Sequence, residues 1–299
     1  MRVLIVGCGY VGLPLGVELV RLGHEVFGLR RSVSAENELK AAGIRPLFGD
    51  VTQPETLAKL PREFDWVVNC VAAGGGADDY RQVYLQGTRN LIEWLAPASA
   101  EASARQALKK FVYTSSTSVY GQTDGSQVKE SSPTEPLAET AKILVETEKV
   151  LLAAVAERKF PAVILRVAGI YGPERGHWFK QFLKDEARME GDGSRFLNMI
   201  HRDDLIGCII AALKNGRPGE IYNAADDEPV SQLHFFQWLA QALDKPLPPS
   251  EPDADRKRGV TNKRVSNRKL KMELGHQFKY PNFRKGYSAE LLRLDRAPN

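Results

Sequence analysis

The sequence predicts an α/β protein, a doubly wound parallel sheet with a smaller C-terminal lobe. Three observations predict it: apolar runs alternating with helical patterns, a glycine-punctuated turn after the first run, and the fading of that alternation beyond Tyr171. The strand candidates are Val3 to Val6, Glu25 to Leu29, Pro46 to Phe48, Trp66 to Cys70, Phe111 to Thr114 and Ala162 to Arg166. Between them lie amphipathic stretches such as Val11 to Leu22, Val83 to Leu95 and Ala141 to Ala156. Strands alternating with helices imply right-handed crossovers, hence a Rossmann-type architecture.

Residues 1–171 are expected to form the nucleotide-binding domain and 172–299 most of a substrate lobe, with a late strand near 220–223 returning to the main sheet. The segment from Ala96 to Ala107 reads as a surface loop or helix extension, and Pro246 to Pro252 as an exposed, extended connector. Apolar residues make up 43% and charged residues 26%, which excludes a disordered or fibrous chain. No apolar run approaches the roughly 18 residues of a membrane span and no leader pattern precedes Arg2, so a cytoplasmic protein without a membrane partner is expected. Cys8, Cys70 and Cys208 lack the close spacing of a zinc site or disulfide framework, so no metal is expected.

A net charge of +4 calls for no nucleic-acid partner. The one concentration of charge, Arg256 to Lys271, reads as a solvated face or as an anion-binding rim, and no aromatic residues interleave it to stack bases.

Strand Val3 to Val6 runs directly into Gly7-Cys8-Gly9-Tyr10-Val11-Gly12 and then into a helix. Gly7 allows the tight turn, Gly9 lets backbone approach a pyrophosphate, and Gly12 lets helix and strand pack closely. Gly7, Gly9, Tyr10, Val11 and Gly12 are therefore candidate cofactor residues. An NAD site usually carries an acid at the end of the second strand, to hold the ribose 2′-hydroxyl. Here the strand ends Leu29-Arg30-Arg31, and two guanidiniums clamp a 2′-phosphate where a carboxylate would repel it. NADP is the expected cofactor, with NAD the alternative. Asp50-Val51 follows the third strand, where the carboxylate either accepts from the adenine amino group or caps a helix beginning near Gln53.

Further matches follow in order: Ala72-Ala73, Gly87-Thr-Arg-Asn-Leu91, Tyr113-Thr-Ser-Ser-Thr-Ser-Val-Tyr-Gly121, Arg166-Val-Ala-Gly-Ile-Tyr-Gly-Pro173, Ile200-His-Arg-Asp-Asp204 and Ile221-Tyr-Asn223. With the glycine turn they resemble the extended short-chain dehydrogenase/reductases, the group of NAD(P)-dependent epimerases and dehydratases. The spacing Gly-x-Gly-x-x-Gly, in place of the family's more usual Thr-Gly-x-x-Gly-x-x-Gly, resembles an atypical branch. The resemblance implies a small-molecule substrate, leaves a homodimer open, and adds Ala72 to the cofactor loop. It places the substrate-binding hydroxyl at Ser116 and the lysine of the Tyr-x-x-x-Lys pair at Lys142, which would also hold the nicotinamide ribose. Where the tyrosine should stand is Ala138.

That change is chemically large, because hydride transfer at a carbinol carbon needs a base for the hydroxyl proton. Three replacements offer themselves. Tyr84, where the family carries an asparagine, has a phenol that would take the role, unless it is a packing residue with its hydroxyl on backbone. A water held by Ser116 is a second, and the imidazole of His177 or His201 a third, His201 suiting a structural or substrate-orienting role better. By the same resemblance His177, Trp178, Arg195 and Asn198 line the substrate pocket. An aromatic surface beside guanidiniums suits a ring carrying an anion, such as a nucleotide-linked sugar. Two function classes stand at this point: an NADP-dependent oxidoreductase or epimerase, and an NADP-binding sensor without turnover.

Overall fold

The computed structural model describes residues 1–96, 108–252 and 261–294. Its strands are β1 (Arg2–Val6), β2 (Glu25–Arg30), β3 (Arg45–Phe48), β4 (Trp66–Asn69), β5 (Lys110–Ser116), β6 (Gln127–Val128), β7 (Ala162–Val167), β8 (Gly169–Tyr171), β9 (Met189–Glu190), β10 (Phe196–Leu197), β11 (Met199–His201), β12 (Ile221–Ala224), β13 (Val230–Ser231), β14 (Ser250–Glu251) and β15 (Arg264–Val265). Seven of them form the central sheet in the order β12-β7-β5-β4-β1-β2-β3. β1 pairs in parallel with β2 and β4, β2 with β3, and β4 with β5. The direction of winding reverses between β1 and β4, the switch point where ligands of this architecture bind. Val6 is in register with both Leu29 and Asn69, so the turn after β1 leaves the carboxyl edge of the sheet at that point.

The expected strands all appear, the late one as Ile221–Ala224. Their residues are legible because a parallel sheet covered on both faces needs uninterrupted apolar runs, and Val3, Leu4, Ile5, Val67 and Val68 are fully buried. The helix expected from Val83 to Leu95 differs: Ala77–Tyr80 is α-helical, Arg81–Gln86 is a π-helical turn, and Gly87–Leu95 resumes the α-helix. The helix expected from Ala141 to Ala156 runs from Glu139 to Arg158. The connector at Pro246 to Pro252 ends in a strand, since Ser250 and Glu251 pair with Met189 and Glu190. The stretch expected to be a surface loop lies outside the described residues beyond Ala96, as do Arg256, Lys257 and Arg258.

The chain falls into two compact units, each discontinuous in sequence. Met1–Ser116, Glu139–Leu165 and Ile209–Ile221 make the first; Thr117–Ala138, Arg166–Cys208 and Tyr222–Asn299 make the second. The first unit buries Leu4, Val6, Phe27, Leu29, Val67, Leu91, Phe111 and Tyr113 in one cluster. The second is held by an aromatic core of Tyr171, Phe179, Phe182, Phe235, Phe236, Phe283 and Tyr287. There the ring of Tyr171 stacks on Tyr287 at 4.3 Å and meets the edge of His201 at 5.3 Å. No helix among the described residues is long and apolar enough to cross a membrane.

Candidate functional site

Three glycines shape the turn after β1, for different reasons. Gly7 has φ +85°, a conformation that disfavours any side chain, and a Cβ there would lie 2.7 Å from the Val71 nitrogen. Gly12 opens the helix Gly12–Arg21, and its Cβ would lie 2.6 Å from the Gly7 carbonyl oxygen. Gly9 is different. It is outside the left-handed region, and within 4 Å its Cβ would meet only the Arg30 guanidinium, at 3.9 Å. Packing inside the protein therefore explains Gly7 and Gly12 but gives no reason for Gly9. The helix beyond has no acid in its first turn to offset the positive end of its dipole.

Arg30 donates from Nη1 to the Cys8 carbonyl at 2.6 Å, which ties its guanidinium to the turn, and lies 3.9 Å from Glu38. Arg31 is exposed. Glu38 is the neighbour that sequence reasoning missed, because it enters from the following helix, Glu36–Ala41. Cys8 is a buried thiol, its pKa pushed up to about 12 by burial, and so is no nucleophile.

Asp50 is not a helix cap. Its Oδ1 accepts from the Thr52 N–H at 2.9 Å and the Thr52 hydroxyl at 2.8 Å, while the short helix Pro54–Leu57 begins without a side-chain cap. Proline at the first position, which has no N–H to satisfy, makes a cap less necessary. Val51 is clamped: Asn90 donates to its carbonyl at 2.7 Å, and a Cβ on Gly87 would lie 2.8 Å from Val51 Cγ2. The Gly87-Thr-Arg-Asn match thus holds the Asp50-Val51 loop in place.

The tyrosine at position 84 sits in the π-helical turn and presents its hydroxyl to the loop after β4, accepting the Ala73 N–H at 3.2 Å. Its ring lies 4.9 Å from that of Tyr80. Ser116 ends β5 half-buried, whereas its neighbour Ser115 is buried and donates to Glu148 at 2.6 Å. The Lys142 ammonium is exposed and 3.8 Å from Glu139, which also pairs with Arg81 at 3.1 Å. Glu148 was not legible as part of this region. Burial, with Tyr84 and Glu148 nearby, drives the Tyr113 phenol well above its ordinary pKa.

In the second unit three of the matched motifs form one buried network. The Tyr120 hydroxyl accepts from Arg166 at 2.9 Å and donates to Asn223 at 2.8 Å. Arg166 donates in turn to the Glu130 carbonyl, and the Asn223 N–H to the Glu130 carboxylate at 2.9 Å. His201 is also structural. Its Nδ1 accepts the Asp203 N–H, so the neutral ring carries its proton on Nε2, 3.3 Å from Glu290, and burial lowers its pKa.

Of the four candidate substrate residues, His177 and Trp178 line a hollow of about 160 Å³ together with Glu186, Arg188, Glu190 and Glu251. Arg195 and Asn198 are spent otherwise. Arg195 donates to the Thr261 carbonyl and pairs with Glu190 at 2.7 Å; Asn198 donates to the Lys263 carbonyl and accepts from the Val265 N–H. Both fasten the segment from Thr261 to Val265. Arg188 is likewise paired, with Glu251 at 3.0 Å, so the hollow offers an aromatic face and carboxylates more than free positive charge.

A parallel sheet with this switch point and this glycine turn defines a dinucleotide-binding α/β protein. The model of the NAD dependent epimerase/dehydratase family matches residues 3–225, and the chain belongs to that family. The protein YeeZ of Escherichia coli K12 is 27% identical over 94% of this chain and 97% of its own. A structure described as a putative NAD-dependent epimerase/dehydratase from Methylobacillus flagellatus is 31% identical, with TM-score 0.76 and 99% of both chains covered. The dTDP-glucose 4,6-dehydratase DesIV of Streptomyces venezuelae, solved with NAD and TYD bound, shares the fold at 24% identity and TM-score 0.80, over 99% of this chain and 98% of its own.

Proposed function

We propose that the chain binds NADP(H) at the glycine turn and acts as an oxidoreductase or epimerase of the extended short-chain type on a small, polar, anionic, nucleotide-sugar-like substrate. The observation that carries the reading is Gly9, whose missing side chain leaves open space beside Arg30 that no protein atom requires. A pyrophosphate approaching the backbone explains it. The reading is supported by the helix N-terminus, which carries the positive dipole end, and by Arg30 and Arg31, whose remaining donors suit a 2′-phosphate; Glu38, 3.9 Å from Arg30, opposes it. Charge-assisted hydrogen bonds of about 1.5–3 kcal/mol amount to roughly tenfold to a hundredfold preference for NADP over NAD. Titration with both cofactors tests this: NADP is expected to bind at least tenfold tighter, with Arg30→Ala and Arg31→Ala together erasing the difference. NAD binding as tightly as NADP sinks the assignment.

When bound, the nicotinamide supplies a carbon that accepts and returns hydride. The chain's part is to hold the ribose from Lys142, to hydrogen-bond the substrate oxygen from Ser116, and to move the hydroxyl proton. Tyr84 takes that last role in this reading. The Ala73 N–H donated to its oxygen fixes where the hydroxyl sits. Tyr84→Phe is expected to abolish turnover while cofactor affinity stays within about twofold, and undiminished turnover rejects the role. The second reading, an NADP sensor without turnover, is favoured by Ala138 together with the Tyr84 hydroxyl resting on backbone.

A further inference from the structure

Two aspartates of the second unit are buried, and their surroundings differ. Asp204, 2% exposed, accepts the N–H groups of Lys279 and Tyr280 at 2.7 and 2.8 Å and lies 3.5 Å from His276 Nε2. Asp226, 1% exposed and just beyond β12, accepts a single N–H, that of Glu228, through Oδ1 at 3.2 Å. Among the described residues its Oδ2 has no hydrogen-bond partner, and no cation lies within ion-pair distance of the carboxyl.

The charged groups around Asp226 do not compensate it. Its own loop brings Asp227 and Glu228, paired with Lys271 and with Arg284 of the helix Phe283–Leu294. The helix Arg202–Asn215 brings Asp204. From β11, whose Met199 carbonyl accepts the Asp226 N–H, comes His201, engaged with Glu290. The segment before the helix Phe283–Leu294 brings Lys279, 3.9 Å from Asp203. From β8 comes the Tyr171 phenol, whose pKa is raised by burial and then by Asp226. Every cation near Asp226 thus stands beside another acid.

A carboxylate so placed is an uncompensated buried ion, whereas the neutral acid leaves only a hydrogen bond unmade. We propose that Asp226 is a pH-sensitive latch of the second unit: as the neutral acid it is accommodated in the core beside Tyr171, and as the ion it loosens that core. The inference is independent of the cofactor and substrate readings. Burial, and then Glu228, Asp227 and Asp204, push the Asp226 pKa well above the carboxylate range, against the one N–H bond that lowers it. The folded acid therefore keeps its proton where the unfolded chain, with an ordinary aspartate of pKa about 3.9, has lost it. The stability this group contributes is full below about pH 4. It falls as pH rises, by about tenfold in the unfolding constant per pH unit, until the folded carboxyl ionises.

The test compares urea unfolding of the full chain at pH 5, 6 and 7 with that of Asp226→Asn, an isostere of the neutral acid. The ratio of wild-type to variant unfolding constants is expected to rise at least tenfold from pH 5 to pH 7. Hydrogen exchange over the same range is expected to show the wild type opening more than the variant in β8, β11 and the helix Phe283–Leu294, with β1 to β4 alike in both. A readout that needs no variant is carbon-13 NMR of wild type labelled at the aspartate carboxyls, where one carboxyl is expected to keep the chemical shift of the neutral acid at pH 6. A ratio unchanged between pH 5 and pH 7, added opening spread equally over both units, or aspartate carboxyls that are all ionised at pH 6 overturns the proposal.

Discussion

Replacing Gly9 by alanine is expected to weaken binding of the nicotinamide dinucleotide by about a hundredfold while leaving the melting temperature within about two degrees of wild type. The reasoning separates what the fold needs from what a ligand needs. At Gly7 a side chain meets backbone at 2.7 Å with φ in the left-handed region, and at Gly12 it meets the Gly7 carbonyl at 2.6 Å. Alanine at either place harms the folded chain before any ligand arrives. At Gly9 the nearest atom is a flexible guanidinium at 3.9 Å, so the methyl group is accommodated in the free protein. It would occupy the space through which a pyrophosphate reaches backbone, and overpacking of that kind costs about 1–3 kcal/mol. Cofactor titration and a thermal melt on the same sample check both halves. Undiminished affinity would show that the open space has another purpose.

The second large effect is one of stability. Gly286→Ala is expected to destabilise the protein by about 3 kcal/mol, measured by urea unfolding. Gly286 lies in the helix Phe283–Leu294, where alanine is intrinsically better by about 1 kcal/mol. Packing reverses that preference: the Cβ would lie 2.0 Å from the Tyr171 hydroxyl oxygen and 2.6 Å from its ring. The ring cannot retreat, being stacked on Tyr287 and flanked by His201. Among the described residues the buried Tyr171 hydroxyl has no hydrogen-bond partner, and burial drives its pKa upward. Tyr171→Phe therefore removes an unsatisfied group, and its effect is expected to be neutral or slightly stabilising. In the double variant part of the Gly286→Ala loss should return, because the nearest clash goes with the hydroxyl.

The two sites show what a sequence carries and what it does not. The glycine turn is legible because its signal is local: strand, three glycines and helix follow one another within about a dozen residues, and each glycine has a backbone reason. Gly286 gives no such sign, since the atom that requires it comes from Tyr171, over a hundred positions away. Arg195 and Asn198 have the right chemistry for a substrate, and only their tertiary partners, Thr261, Glu190, Lys263 and Val265, reveal where their hydrogen bonds go. The basic run divides for the same reason. Lys263 is buried, Arg264 lies over the Phe196 ring, and Lys271 pairs with Asp227, differences that charge pattern alone does not encode. The π-helical turn is equally silent, because its period departs from the α-helix by less than one short window resolves.

Each compact unit is assembled from three separate stretches of chain, and one network in the second, Tyr120 with Arg166 and Asn223, joins three of its matched motifs. No single cut in the gene can therefore release either unit whole. A truncation that keeps the glycine turn still loses Ile209–Ile221 from the first unit unless it extends beyond position 221. Recombination between relatives would have to exchange several segments at once to keep either core intact.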